Sequence, residues 1–396
     1  MDLVKLKEVA EIVSGSTPKT NKIEYWDGQI HWITPADLEK KSNGYIYSTS
    51  RKITDKGFES SNLKMLPVGT VLLTTRAPIG KVALAGVELC TNQGFKNIIC
   101  DSAVLASEYL YYYLTSQHDQ LNALGRGATF KEISKKIVED LIIPLPPLQT
   151  QQKIVQVLDK AQSLIDKRKE QIELMDELIQ STFYEMFGDP VVNEKAWITK
   201  KVGSQLERII SGWSVSGEER KKINGEIAVL KISSVTSGAF KPDEHKVANQ
   251  LDKKKVLVKP LKGDILFSRA NTRELVAASC IVEDNYDDLF LPDKLWKIVI
   301  DSKKLSNYWF NALLQNNSFR ATLTKQASGT SGSMLNISKN KFENSLMPVP
   351  PIEFQKQFAD IVQKIEAQKQ LMEQALTEME NNYNSLMQRA FKGEIM

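Results

Sequence analysis

The sequence has few of the residues that dominate disulfide frameworks and metal centres. Its 396 residues include three cysteines and three histidines. The cysteines, Cys90, Cys100 and Cys280, are odd in number and lack metal-ligand spacing, which indicates buried small apolar side chains in a reducing cytoplasm. The histidines are too scattered for a catalytic triad or a metal cluster. They are His31, His118 and His245.

Other absences exclude further classes. The chain has no G-x-x-x-x-G-K-[ST] phosphate loop, no G-x-G-x-x-G fingerprint after a strand and no H-E-x-x-H. It has no apolar run near 18 residues, and residues 1–10 mix charged with apolar side chains, so we expect neither a membrane span nor a signal peptide. Because 48 acidic residues nearly balance 52 Lys plus Arg, any surface that binds nucleic acid must be local.

What the chain has is an internal repeat. The sequence IIPLPP at 142–147 returns as LMPVPP at 346–351, and 348 minus 144 gives an offset of 204 residues. The same offset carries Ile133-Ser134 onto Ile337-Ser338 and Gln151 onto Gln355. With small gaps, GTVLL at 69–73 also matches GDILF at 263–267. The chain is therefore two copies of one unit.

Each copy begins with a domain of mixed α/β class. Short β-rich runs such as 70–75 and 264–268 are broken by Gly, Pro, Asn and Ser, and helices are expected near 107–117 and 306–316. The predicted organisation has four segments. They are a first mixed α/β domain at 1–148, a helix at 149–188, a linker with a second such domain at 189–351, and a second helix with a tail at 352–396.

Each copy ends in a long helix with a heptad pattern. No Pro or Gly falls between Gln149 and Phe187 or between Ile352 and Phe391, which allows about 57 Å of helix in each case. We predict that the two helices pair as an antiparallel intramolecular coiled coil about a pseudo-twofold axis. The alternatives are a helix packed on its own domain and an intermolecular zipper. The predicted interface residues are Leu158, Ile165, Ile172, Ile179, Val362, Ile365, Leu376 and Tyr383.

Polar loops are the candidates for binding. Cations in these loops stand beside Gly, Ser, Thr, Asn and aromatic residues, which suits contacts with phosphates and base edges. In the first copy the DNA contacts predicted from these loops are Ser16, Thr17, Lys19, Arg76, Arg126, Thr129 and Lys131. In the second copy they are Trp213, Arg269, Asn271, Arg273, Lys325, Thr330 and Ser331. An ordinary polar turn is the alternative for each stretch.

One pair of acids resembles a nuclease site. Asp293 and Asp301, with Lys303 beside them, would in principle hold Mg²⁺. The first copy has Asn92-Gln93 where Pro292-Asp293 stands, so the repeated unit does not need the acid. We expect turn and surface roles for both aspartates and no catalytic residue in the chain.

The whole pattern resembles the specificity subunits of Type I restriction–modification enzymes. The order of domain, Pro-x-Pro-Pro segment and long helix, twice over, is similar to that family across nearly the whole chain. The matching stretches are VKLKEVAEIVSGSTP at 4–18, IHWITPADL at 30–38, NQGF at 92–95 and GATFKEIS at 127–134. Through the second of these stretches, the resemblance implies Trp32 and Thr34 as further DNA contacts. The second copy departs from this pattern, with SGWS at 211–214 and GTSGSM at 329–334. We therefore expect its half of the target to differ.

The resemblance implies a non-catalytic protein of bacterial defence. Each recognition domain would bind one half of a bipartite, gapped duplex site, and the helices would set the gap and dock two modification subunits. Restriction subunits would join the complex. No cofactor is expected on this chain, whereas S-adenosylmethionine, ATP and Mg²⁺ are expected on the partners. The alternatives are a coiled-coil protein scaffold, which would lack salt-dependent DNA affinity, and a stand-alone Mg²⁺-dependent nuclease.

Overall fold

The computed structural model describes residues 2–76, 78–126, 131–252, 254–329 and 334–394. The strands of the first copy are β1 Asp2–Lys5, β2 Ala10–Ser14, β3 Trp26–Ile33, β4 Tyr45–Ile46, β5 Arg51–Ile53, β6 Val71–Thr74, β7 Val82–Ala85, β8 Leu89–Thr91, β9 Phe95–Cys100 and β10 Ile142–Leu145. Its helices are α1 Asp55–Glu59, α2 Ser107–Ser116, α3 His118–Leu124, α4 Lys135–Glu139 and α5 Leu148–Phe187.

The second copy repeats the order with small additions. Its strands are β11 Ile198–Lys201, β12 Leu206–Ser211, β13 Gly217–Glu218, β14 Ala228–Leu230, β15 His245–Ala248, β16 Ile265–Ser268, β17 Ala270–Asn271, β18 Ser279–Ile281, β19 Leu289–Phe290, β20 Leu295–Ile300, β21 Leu335–Asn336 and β22 Leu346–Val349. Its helices are α6 Ser233–Thr236, α7 Asn307–Gln315, α8 Asn317–Lys325, α9 Lys339–Asn344 and α10 Ile352–Lys392. Short 3-10 helices cover Leu6–Glu8, Ile23–Tyr25, Pro35–Lys40 and Val202–Gln205.

The sheets confirm the internal repeat and the mixed α/β class. The largest sheet of the first copy has the order β2-β9-β6-β7-β4, and the corresponding strands of the second copy follow the same order, β12-β20-β16-β18. In a smaller sheet of each copy, one parallel pair, β3 with β8 or β14 with β19, adjoins an antiparallel pair. Every residue of β6 and β16 is buried, as their apolar runs predict for strands covered on both faces.

The chain divides into two compact units. Unit one comprises Met1–Lys169 and Gln374–Met396, and unit two comprises Glu170–Glu373. Each unit thus contains one recognition domain and about half of each long helix. The four predicted segments instead keep each helix whole, and their boundaries stay a prediction.

The long helices form where the sequence predicts them. Helix α5 has 40 residues and α10 has 41, which corresponds to about 60 Å each. Gly188, with a φ of 74°, follows the last residue of α5. Pro144 and Pro348 lie in β10 and β22, which pair with the first strand of their own copy. All eight predicted interface residues are buried or half-buried.

The helices are antiparallel within each unit. In unit one, Ile154 and Leu158 from the beginning of α5 share a core with Met387 and Ala390 from the end of α10. In unit two, the ring centroid of Phe183, near the end of α5, lies 5.7 Å from that of Phe358, near the beginning of α10. The predicted antiparallel pairing is therefore confirmed in both.

A buried glutamine fastens each helix to its domain. Gln151 donates from Nε2 to the carbonyl oxygens of Pro146 and Val104, both at 2.8 Å, and accepts from the backbone N–H of Ala106 at 2.9 Å. Gln355 makes the corresponding contacts with Pro350, Lys304 and Ser306. Both side chains are fully buried, so the first turn of each helix is fixed to the strand and helix that precede it.

The apolar heptad stripe of each long helix, its seam, is interrupted by one cation, and the two cations have different surroundings. Lys369 pairs with Asp176 in unit two. Burial alone would lower the pKa of Lys369, but Asp176 and the carboxylates of Glu366 and Glu373 raise it. In unit one the buried Nε of Arg168 has no hydrogen-bond partner within the described ranges.

Candidate nucleic-acid interface

Four loops of unit one meet at one end of its main sheet, the five-stranded sheet β2-β9-β6-β7-β4. The backbone N–H of Ser16 donates to the carbonyl oxygen of Thr91 at 2.9 Å, and that of Thr75 donates to Gly94 at 2.7 Å. The N–H of Ile133 donates in turn to Thr75 at 2.9 Å. Predicted contact loops that are far apart in sequence are thus joined by backbone hydrogen bonds.

Glu132 is the charged centre of this group. Its carboxylate lies 3.0 Å from Nε of Arg76 and 3.5 Å from Nζ of Lys96, and its backbone exchanges two hydrogen bonds with Arg126. The Lys96 side chain is 8% exposed. Burial lowers the pKa of Lys96, and Glu132 opposes that change only in part. Glu132 therefore aligns three cations and partly neutralises two of them.

Two tryptophans support the first loop. The indole N–H of Trp32 donates to the carbonyl oxygen of Ser16 at 3.1 Å, and that of Trp26 donates to Lys19 at 3.3 Å. Trp32 is 3% exposed, so its ring positions the loop and is not available for base contact in this arrangement. The Thr17 hydroxyl contacts Oε1 of Gln93.

Thr34 begins a 3-10 helix beside this loop. Its backbone N–H donates to Oδ2 of Asp37 at 2.8 Å, as in a capping box, and its hydroxyl donates to the same oxygen at 2.8 Å. The Ser50 N–H donates to the other carboxylate oxygen at 2.8 Å. The Thr34 hydroxyl is therefore already engaged as a donor, although its oxygen can still accept a hydrogen bond.

Unit two brings together the corresponding loops. The backbone N–H of Trp213 donates to the carbonyl oxygen of Leu291 at 3.1 Å. The N–H of Arg269 donates to the carbonyl oxygen of Lys294 at 3.1 Å, and the carbonyl oxygen of Arg269 accepts from the N–H of Ile337 at 2.9 Å. These three bonds correspond in position to those that the backbone N–H groups of Ser16, Thr75 and Ile133 donate in unit one. Both units thus use one backbone framework.

Arg269 links three of these loops through its side chain. Its Nε donates to the backbone carbonyl of Asp293 at 2.8 Å, and its Nη1 donates to Oδ1 of Asn336 at 2.9 Å. The Asp293 carboxylate accepts from the Ser214 hydroxyl. Because Nη2 makes no described hydrogen bond, part of the half-buried guanidinium keeps free donors while the rest is held in place.

The two frameworks carry different side chains. Where backbone contacts coincide, Thr75 corresponds to Arg269 and Glu132 corresponds to Asn336. Gln93 likewise corresponds to Asp293 as the partner of a hydroxyl in the first loop. The units therefore present different donors and acceptors from matching positions.

The remaining predicted contacts are placed as follows. The exposed ones are Lys19, Arg76, Arg126, Lys131, Arg273 and Lys325. Ser16, Thr17, Thr34, Trp213, Arg269 and Asn271 are half-buried. Thr129, Thr330 and Ser331 lie outside the described residues. Contact of any of these residues with DNA stays a prediction.

Sequence reasoning missed the role of the polar residues that hold the loops together. Glu132 and Asn336 immediately precede the matched Ile-Ser pairs, and Gln93 and Asp293 precede the strands β9 and β20. The comparison of the two copies marks Gln93 and Asp293 as positions that differ, and the same comparison would have marked Glu132 and Asn336. Their partners, however, come from distant loops.

The two aspartates considered as a nuclease site, Asp293 and Asp301, lie far apart. Asp293 and Asp301 flank the six-residue strand β20, whose length separates them by about 20 Å. Asp301 accepts from the backbone N–H of Lys303 at 3.0 Å, as expected for a turn residue. Within the described ranges, no group of three or more His, Cys, Asp or Glu is arranged to hold a metal ion.

The cysteines and histidines have structural surroundings. Cys90 and Cys280 are buried and Cys100 is half-buried, and all three are free thiols. Burial raises the pKa of Cys90 to about 12 and that of Cys100 to about 11. His118 and His245 each contact a backbone carbonyl oxygen through Nδ1. In the part of the chain that is described, no helix has the length and apolarity to cross a membrane.

Comparison with known proteins gives one consistent family. The family described as "Type I restriction modification DNA specificity domain" matches residues 1–174 and again residues 196–381. The specificity subunit of the Type I restriction enzyme MjaIX from Methanocaldococcus jannaschii is 32% identical over 400 residues, which covers 94% of this chain and 89% of the relative. The EcoR124I/EcoR124II specificity subunit of Escherichia coli is 32% identical over 46% of each chain.

Solved structures agree at the level of the fold. A chain from a study of assembly and conformational transition in a type I R-M system matches with a TM-score of 0.61 and 19% identity, covering 100% of this chain and 98% of that one. The S subunit of a Type I system from M. genitalium matches with a TM-score of 0.53 and 14% identity, covering 98% and 96%.

Proposed function

This chain belongs to the Type I restriction modification DNA specificity family, and on that basis we propose how it selects its target. It is a specificity subunit with two tandem recognition domains. Each domain binds one half of a bipartite, gapped duplex site. The loops gathered at one end of the main sheet in each unit supply the contacts, with no catalytic group contributed by this chain.

One observation carries this proposal. Corresponding backbone hydrogen bonds build both loop clusters, whereas the side chains at matching positions differ, as with Thr75 and Arg269 or Glu132 and Asn336. A shared frame gives two similar docking geometries on DNA, and different donors and acceptors select different base edges. We therefore infer that the two half-sites differ in sequence.

The surfaces of the long helices support a proposal about the partner subunits. Apart from the seam, both helices carry exposed apolar side chains, among them Leu164 at 58% in unit one and Leu174 at 50% and Leu371 at 62% in unit two. Such residues on a charged helix suit contact with another protein. We propose that two modification subunits dock there and that restriction subunits join them. In this proposal S-adenosylmethionine, ATP and Mg²⁺ bind to those partners.

A genome-wide map of N6-methyladenine tests the function. The source strain is compared with a strain that lacks only this gene, and a bipartite, gapped motif should lose its methylation. If the motif persists, or if the chain with its modification subunits has no salt-dependent DNA affinity, the protein is instead a scaffold. Cleavage or methylation by the purified chain alone would contradict its non-catalytic role.

The contribution of one unit can be tested separately. Arg269→Ala should weaken binding of the complete complex to its cognate duplex by about 1–3 kcal/mol and relax the sequence preference in one half-site only. The control is Arg220→Ala, because Arg220 is in the same unit and is paired with Glu218 and Glu226. Unchanged affinity of the Arg269 variant would reject this contact.

A further inference from the structure

A cation lies over a tryptophan ring in unit one. The guanidinium carbon of Arg51, in β5, is 3.6 Å from the ring centroid of Trp26 and 5.5 Å from that of Trp32. The two tryptophan rings meet edge to face at 5.0 Å. Their indole N–H groups hold the backbone of Ser16 and Lys19. Arg51 is thus fixed beside the first recognition loop by the residues that support that loop.

Unit two also places a cation over a tryptophan ring, although here the tryptophan belongs to the loop itself. Nζ of Lys255 lies 5.0 Å from the ring centroid of Trp213, which belongs to the corresponding loop. The indole N–H of Trp213 donates to the carbonyl oxygen of Val256 at 3.2 Å, and its ring packs on Phe290 at 5.2 Å. A tryptophan therefore connects the loop, a neighbouring backbone segment and a cation in this unit as well.

These two cations are exposed, and neither has a counterion among the residues that the structure describes. Among the described residues, no carboxylate pairs with Arg51 or Lys255, and no hydrogen bond engages either charged group. Several cations elsewhere in the recognition domains are paired, as Lys64 is with Glu11 and Lys246 with Glu219. An aromatic ring attracts and orients a cation without cancelling its charge. Arg51 and Lys255 are therefore restrained but electrostatically available.

We propose, resting on the function proposed above, that Arg51 and Lys255 bind backbone phosphates of the two half-sites and thereby position the recognition loops. One unit uses arginine and the other uses lysine, so their shared chemistry is positive charge. Arginine and lysine differ in how they bind a guanine edge, because only arginine offers a planar fork of donors. A phosphate contact needs only charge and N–H donors, and it suits two halves that read different bases.

The test measures the salt dependence of binding. The chain is assembled with its modification subunits and titrated with two duplexes, one carrying the methylated motif and one scrambled in both half-sites. Arg51→Gln or Lys255→Gln should weaken binding to both duplexes by a similar factor. Each variant should also reduce the slope of log K against log salt by about 0.9, the value for one phosphate.

Two further variants separate charge from folding. Arg51→Lys keeps the charge and should restore the slope, whereas a general loss of structure would not be rescued in this way. Lys7→Gln removes an equal charge, but Lys7 is paired with Asp140 at 3.1 Å, so the slope should match that of the unaltered protein.

Two outcomes would overturn the proposal. One is an unchanged slope for both glutamine variants, and the other is a loss confined to the motif duplex, which would make these residues base readers. Failure of the proposed function gives a different result, since the unaltered complex would then bind both duplexes alike. The slope on the scrambled duplex still tests the phosphate contacts in that case.

Discussion

At the scale of single residues, the recognition loops begin at glycines because backbone from another loop lies against them. A Cβ on Gly15 would be 1.9 Å from the carbonyl oxygen of Asn92, and one on Gly212 would be 1.8 Å from that of Leu291. Only glycine permits so close an approach of two backbone segments. The position of this loop in both units thus depends on a glycine, which has no Cβ.

Substitution at Gly15 tests this dependence. Gly15→Ala should lower the free energy of unfolding by about 1–3 kcal/mol, because the loop must move to relieve the overlap. It should also weaken methylation of the motif. Urea unfolding measures the first effect, with the exposed neighbour Ser14→Ala as the control. Equal stability of the two variants would contradict the predicted clash.

The capping box at Thr34 gives a pH-dependent prediction. Burial alone would raise the pKa of Asp37, but hydrogen bonds from Ser50 and Thr34 hold it below its usual value. A depressed pKa stabilises the folded state above the ordinary aspartate pKa of about 4, and this stabilisation is lost as the pH falls through the folded-state value. Asp37→Asn should cost about 1–2 kcal/mol at neutral pH.

The same comparison at acidic pH is decisive. The difference in the free energy of unfolding between the protein and Asp37→Asn should shrink as the pH falls below about 4, because the carboxylate becomes protonated first in the unfolded chain and then in the folded protein. Denaturant unfolding at several pH values measures it. A difference that stays constant down to pH 2 would mean that the charge of Asp37 does not matter.

At the scale of secondary-structure elements, the buried glutamines connect each long helix to its domain. In unit two, Gln355→Leu removes the partners of the Ser306 N–H and of the Pro350 and Lys304 carbonyl groups. Each buried group left unpaired costs about 1–3 kcal/mol. We expect a lower free energy of unfolding and faster hydrogen exchange at Ser306.

A second glutamine on the same helix is the matched control. Gln357 is exposed, so Gln357→Leu should leave stability and the exchange rate of the Ser306 amide nearly unchanged. If the two variants behave alike, the hydrogen bonds of Gln355 do not determine how the helix is attached.

At the scale of the whole molecule, each long helix begins in one compact unit and ends in the other. The unit boundaries, called the crossings, fall at 169–170 in α5 and at 373–374 in α10. We predict that inserting one heptad at both crossings lengthens the gap in the methylated motif. Seven residues add about 10 Å of helix, or about three base pairs. The half-site sequences should not change.

Matched insertions of four residues provide the control. They introduce a stutter, which turns the seam by about 40° and locally unwinds the coiled coil, so stability should fall. Sequencing of methylated DNA measures the gap for each variant. An unchanged gap after the heptad insertions would show that the helices do not act as the ruler.

Features that depend on local composition or spacing were predictable from the amino-acid sequence. The 204-residue repeat, the mixed α/β domains, the heptad stripe and the absence of catalytic motifs all depend on local composition or on fixed spacing, which a single sequence displays directly. The family resemblance followed from the same patterns. The antiparallel helices in each unit agree with these expectations.

The tertiary structure alone decided which side chains meet. Glu132 aligns Arg76 and Lys96, Trp32 is buried instead of exposed to DNA, and Arg51 lies on Trp26. Each contact joins segments that are distant in sequence, so neither residue of a pair reveals its partner through local pattern. The amino-acid sequence therefore determined the architecture, whereas packing between loops determined the chemistry that each unit presents.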